Sequence, residues 1–215
     1  LLWEDIRKLT AAASPESLNK AYSLLSGSSI IESPEGRELA YVIHEMLLIL
    51  YPLESSVSTP PVIPNASPYA FLFNQVRQGV FPVAEGRDAS FLTRLIPPIS
   101  CLYSSQNSLL ERSQEALRNI GRLLPQSVLP ALLGGIIKEK QKLSAEALGL
   151  YRQALMLAPD CYPASVGAAR AAVVMGDYSA AVNYIGPLTD RFGFKQEFSS
   201  LLGEAYLGLG NYREA

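Results

Sequence analysis

His44 is the single histidine of the 215-residue chain, so two imidazoles cannot share a metal or relay a proton. It stands in the apolar run Tyr41 to Pro52, "YVIHEMLLILYP", which reads as a buried helix with a satisfied structural histidine and is too short to span a bilayer. Cys101 and Cys161 are 60 residues apart and form no CxxC pair; each reads as a small buried hydrophobe, with a disulfide only if two helical layers meet there. The chain has no HExxH, no phosphate-cradling GxxxxGK and no GxGxxG after a strand. Glu115 with Arg118, and Lys138 with Glu139, read as solvated charges on helix faces. No constellation of catalytic type emerges, and the expectation is a noncatalytic protein without cofactor or metal.

Composition narrows the partners. The chain is 48% hydrophobic and 18% charged, with a net charge of −2, and it has no clustered lysines and arginines of the kind that bind phosphate backbones. Nucleic acid is therefore not the expected partner. Scarce cysteine argues against a disulfide-built secreted domain. Together with low charge density and abundant proline and serine, it favours a bacterial periplasmic or envelope protein over a cytoplasmic one. The glycosylation pattern Asn65-Ala66-Ser67 is too short to carry weight.

The elements that would carry any surface come from a repeat. Lys142, Gly176 and Gly210 stand at equivalent positions 34 residues apart, and "GDYSAA" at 176–181 returns as "GNYREA" at 210–215. A first unit runs from Val128 to Cys161, with Gly135 in its first helix and Ala147, Tyr151, Ala154, Leu155 and Pro159 along its second. A second runs from Tyr162 to Lys195, with Ala168 and Ala169, the turn Gly176-Asp177-Tyr178, then Ala181, Ile185 and Leu188. A third begins near Gln196 with Leu202-Gly203, Tyr206 and Gly210-Asn211-Tyr212, and reaches Ala215. Small residues at Gly135, Ala169 and Gly203 let helices approach closely, a turn glycine supplies positive φ, and Pro159 closes a helix.

This pattern over residues 128–215 resembles the tetratricopeptide repeat family. Three positions depart from it: Lys142 replaces a turn glycine, Pro187 interrupts the second helix of the middle unit, and Gly193 replaces the closing proline. The resemblance implies an all-α fold, a right-handed superhelix of stacked helical hairpins, whose first helices line a concave face. On this register the face is formed by Leu129, Leu132, Leu133, Ile136, Glu139 and Lys140 in the first unit. Val166, Arg170, Val173 and Val174 follow in the second, and Glu197, Ser200, Leu201, Glu204 and Leu207 in the third. The row is mainly apolar. With Arg170 as its one arginine it does not match the carboxylate clamp of the family's chaperone-binding members.

Upstream, Ser14-Pro15-Glu16 and Ser33-Pro34-Glu35 each combine a capping hydroxyl, a first-turn proline and a carboxylate, predicting helices over 15–26 and 34–51. Further helices are expected over 68–80, over 89–103 with a break at Pro97-Pro98, and over 106–124, with no β-sheet. The organisation expected is 1–52 as divergent hairpins, 53–67 as a Pro- and Ser-rich loop or linker with Val62 and Ile63 as apolar residues able to lie across a neighbouring surface, 68–126 as an irregular helical region, and 127–215 as repeats. The third unit breaks off at Ala215, which predicts a fragment of a longer array, as does the absence of Met before Leu1; an uncovered apolar face at Leu201, Leu202 and Tyr206 would then favour self-association.

The function expected is a scaffold that holds a partner helix or apolar peptide in the concave row, oriented by Arg170 and Glu204. The alternative is a carrier that encloses a hydrophobic ligand or lipid in the same concavity. An adaptor attached to an enzyme elsewhere in a longer chain is a third reading.

Overall fold

The computed structural model describes residues 1–54, 67–82 and 91–211. Val62, Ile63, Asn65, Tyr212 and Ala215, and with them most of the expected 53–67 loop, lie outside the described residues. Among the described residues every regular element is helical and none is a strand. Two compact units emerge, Leu1–Leu133 and Gly134–Ala215.

The first unit begins with α1, Leu2–Ala12, which no side chain caps; it falls within the expected hairpins of 1–52, for which no helix was bounded before residue 15. It turns at Ala13, held at φ 56°, into α2, Pro15–Ser26. There Ser14 Oγ accepts from the Ser17 amide at 3.1 Å, as the cap-proline-carboxylate pattern predicts. After a 3-10 turn at Ser29–Glu32, Ser33 Oγ accepts from the Gly36 amide at 3.0 Å and starts α3, Pro34–Leu50. Leu18, Leu25, Leu39, Ile43, Met46 and Leu47 are fully buried or nearly so, with α2 packed on both α1 and α3. The Tyr51 hydroxyl donates to the Ala13 carbonyl at 2.7 Å, tying the end of α3 to the α1–α2 turn.

Helix α4, Pro68–Arg77, packs back on α3 through an edge-to-face pair of Tyr41 and Phe73 and an ion pair of Arg77 with Glu45. The residues flanking the Pro- and Ser-rich stretch thus belong to one compact unit. The break expected at Pro97-Pro98 is a change of helix type: α5, Phe91–Leu95, gives way to a 3-10 helix at Pro97–Leu102. Helix α6, Asn107–Leu123, packs on that 3-10 segment and on α5. Helix α7, Leu129–Lys140, begins where the Val128 amide bonds the Ala12 carbonyl at 2.9 Å, and the division between units falls within it.

The second unit continues with α8, Ser144–Leu157; α9, Tyr162–Val174; α10, Tyr178–Phe192; and α11, Gln196–Gly208. Each of α8 to α11 packs on the next. The turns after α7, α9 and α11 are the same motif. Lys142, Gly176 and Gly210 have φ of 61°, 78° and 77°. At each, the amide bonds the carbonyl three residues back, and the amide of the next residue bonds the carbonyl five residues before itself, closing the helix in a Schellman pair. Lys142 therefore departs from glycine in residue type only. Gly193, at φ 71°, likewise ends α10.

One expectation fails here. Pro187 does not interrupt α10, which runs through it to Phe192. The proline and Asn183, whose carbonyl loses its amide partner, are both exposed, so water replaces the missing bond at little cost.

Candidate functional site

Tyr151 of α8 is the centre around which the second unit is arranged. Its ring is fully buried, and a Cβ added to Gly135 of α7 would stand 2.6 Å from it and one added to Gly167 of α9 2.4 Å. Two glycines on neighbouring helices thus form a slot for one flat ring. Gly135 was expected to let helix backbones approach closely; what its missing Cβ admits is the Tyr151 side chain, and Gly167 supplies a second wall that the repeat register did not single out. Tyr178 uses Gly208 in the same way, where an added Cβ would stand 2.5 Å from its ring.

The phenol leaves the slot toward charge. Tyr151 donates to Glu139 Oε2 at 2.6 Å. Arg170 of α9 donates to the same carboxylate through Nε at 2.7 Å, and through a terminal nitrogen to Glu197 of α11 at 2.6 Å. One polar chain therefore connects α7, α8, α9 and α11. Burial, and then the Glu139 charge, push the Tyr151 phenol far above its ordinary pKa, so it stays a donor throughout the physiological range. Burial works against the Arg170 guanidinium, but its bond to Glu139 and the surrounding negative charges outweigh it and raise its pKa. Neither group is poised to exchange a proton near neutrality, and the arrangement is one of orientation and mutual neutralisation.

Lys138 and Glu139 do not form the solvated pair expected of them. Lys138 pairs with Glu146 at 2.7 Å while Glu139 turns to Tyr151 and Arg170. Adjacent residues on a helix point about 100° apart, and that rule alone would have separated them. Glu115 and Arg118, by contrast, are exposed as expected.

The expected concave row divides by burial. Leu129, Leu132, Leu133, Val166 and Leu201 are buried and form core rather than open surface. Reading them as a groove overlooked that an α7, α9 or α11 side chain one position off the open face meets a neighbouring helix. Ile136 and Val173 are half-buried, as is Arg170, while Ser200 and Glu204 are exposed. Val174 and Leu207 are 73% and 55% exposed. What remains open is therefore a charged ridge, Glu139-Arg170-Glu197, with apolar side chains beside it, and not a mainly apolar groove. Arg170 is already paired within the chain, so it does not stand as a lone cation awaiting a partner.

The other chemistry-bearing residues are structural. His44 is buried, and its Nδ1, 3.8 Å from Glu45 Oε1, has no hydrogen-bond partner among the described residues, so it is less fully satisfied there than expected. Burial lowers its pKa, Arg77 adds in the same sense and Glu45 opposes, so it is neutral in the folded chain at neutral pH. Cys101 and Cys161 are buried thiols and are not joined in a disulfide. Among the described residues no group of three histidine, cysteine or carboxylate side chains is placed to hold a metal. Among them, too, no helix is long and apolar enough to cross a membrane. No family model matches this chain, nor does any curated protein or solved structure.

Proposed function

We propose that the chain is a noncatalytic interaction scaffold built from hairpins of the tetratricopeptide type, wound as a right-handed superhelix. It binds a helix or extended segment of another protein along the first helices of its hairpins. The observation that carries this reading is the ridge Glu139-Arg170-Glu197, which puts residues of α7, α9 and α11 on one face, while Val174 of α9 and Leu207 of α11 stand exposed on two of the same helices. The recurring turns at Lys142, Gly176 and Gly210 support hairpins of one kind. Aliphatic side chains in water beside a preorganised charged ridge suit a partner that buries an apolar stripe and sets a cation near Glu197 and Glu204.

Photo-crosslinking tests it. A benzoylphenylalanine placed at Val174 or Leu207 should give the same discrete adduct in cells that make the protein, whereas one at Gln153, an exposed position on α8, should not. A Val174→Glu/Leu207→Glu variant should abolish the adduct formed from a probe at Ser200 while keeping wild-type helical circular dichroism. Equal labelling from Gln153 and Val174, or an adduct that survives the double variant, would sink the reading.

A further inference from the structure

The lone histidine of the chain stands at a joint between two helices of the first compact unit. His44 of α3 is 3% exposed, and its neighbour Glu45, 6% exposed, holds the Arg77 guanidinium of α4. At the same contact Tyr41 of α3 meets Phe73 of α4 edge to face. An ion pair and a ring pair thus fasten α4 to α3, and the imidazole lies beside the ion pair, its Nδ1 3.8 Å from Glu45 Oε1.

With the imidazole neutral, the charges balance, because Glu45 and Arg77 cancel. Burial, and then the Glu45 charge, push the Tyr41 phenol above its ordinary pKa, so it adds no charge of its own. The charged groups that act on the imidazole are Glu45 on its own helix and Arg77 on α4. Helix α2 and the 3-10 turn at Ser29–Glu32 also pack on α3, and among the described residues they bring none.

A proton on His44 breaks this balance, since one carboxylate then faces two cations away from water. If Glu45 stays with Arg77, the imidazolium is left buried and uncompensated. If Glu45 turns to the imidazolium, Arg77 loses its partner and α4 its polar tie to α3. Either way the joint is weakened, and repulsion between imidazolium and guanidinium adds to the cost. Burial is the largest influence on the imidazole and disfavours its charged form; Glu45 opposes, Arg77 acts with burial, and the balance stays on the neutral side.

We infer that His44 is an acid-sensing group built into the α3–α4 joint, and that proton uptake loosens α4 from α3. As pH falls, the opened form takes up its proton near the ordinary histidine value of about 6.5, before the closed form does. The joint therefore has its full stability above that value and loses it as pH falls below. At pH 5.5 the opening equilibrium can rise by up to about tenfold, the ceiling set by an opened form that titrates near 6.5.

Because the chain has no second histidine, the imidazole C2 proton can be followed by NMR through a pH titration of the intact protein. Its midpoint should lie below about 6.5. Hydrogen exchange reads the joint itself. After correction for intrinsic exchange, protection of the amides from Leu72 to Arg77 should fall several-fold between pH 7.5 and pH 5.5 in the wild type. The fall should be at least about threefold smaller in His44→Gln, whose side chain takes no proton while the carboxylates titrate as before. A midpoint at or above 6.5, unchanged protection in the wild type, or an equal fall in the folded His44→Gln protein would each overturn the inference. The NMR titration needs no substitution, so it decides even if the glutamine disturbs α3.

Discussion

A single ring decides the local sequence of three helices in the second unit. Tyr151 needs a glycine on either side, and it needs Glu139 within reach of its hydroxyl, which together fix residue types on α7 and α9. Gly167→Ala should therefore be far costlier than an exposed substitution. The added methyl would lie 2.4 Å from a ring that cannot retreat, because Gly135 of α7 closes the other side. We expect a loss of about 3 kcal/mol in urea unfolding, in the upper part of the range for overpacked cores. In a Tyr151→Leu background the same change should cost much less, since the rigid ring is gone, and a double-mutant cycle measures that coupling directly. Equal cost in both backgrounds would mean that the slot is not what selects glycine. A second neighbour of that ring, Glu139, was obscured in the sequence by its proximity to Lys138, and Arg170 was legible as a site residue but not as one already paired.

Helix ends were the most legible elements, because caps act over a few residues and their chemistry is written locally. Ser14-Pro15-Glu16 and Ser33-Pro34-Glu35 predicted the starts of α2 and α3 to the residue, and the observed caps are the predicted side chains. Helix α1 has no such signal, with Leu1 at its cap position, and its bounds were not predicted. The open face was less legible, since which of Leu129, Val166 and Leu201 is covered depends on neighbours far along the chain. The repeat turns lie between these cases. Lys142 looked like a departure, yet it occupies the same left-handed backbone as Gly176 and Gly210. A lysine there bears a Cβ penalty that glycine does not. Lys142→Gly should accordingly stabilise the chain by about 0.5 to 1 kcal/mol, the penalty being partly offset by the greater freedom of glycine in the unfolded state. Chemical denaturation would register this as a raised midpoint at unchanged slope. A lowered midpoint would show that the lysine side chain contributes more than its backbone costs.

Each of the two compact units has a core of its own: Ile6, Leu18, Leu25, Ile43 and Met46 in one, Tyr151, Ala168, Ala169, Ile185 and Ala205 in the other. The repeat period was expected to begin at residue 127, whereas the second unit begins at Gly134; for the first, the sequence offered caps and apolar faces but no period to say how helices pair. Stability held in separate cores should be separable by probes that each see one of them. Trp3, the only tryptophan, lies in α1 with the Arg7 guanidinium 5.2 Å from its ring centroid, so its fluorescence reports on the first unit alone. Helical circular dichroism reports on both. Gly167→Ala acts within the second unit, and it should move part of the circular dichroism transition to lower denaturant while the Trp3 transition keeps its midpoint. If both signals shift together by the same amount, the chain unfolds as one cooperative body, and a perturbation at the Tyr151 slot is felt as far as α1. Separate transitions would instead let the two units be altered independently, because losing the fold of one would leave the other in place.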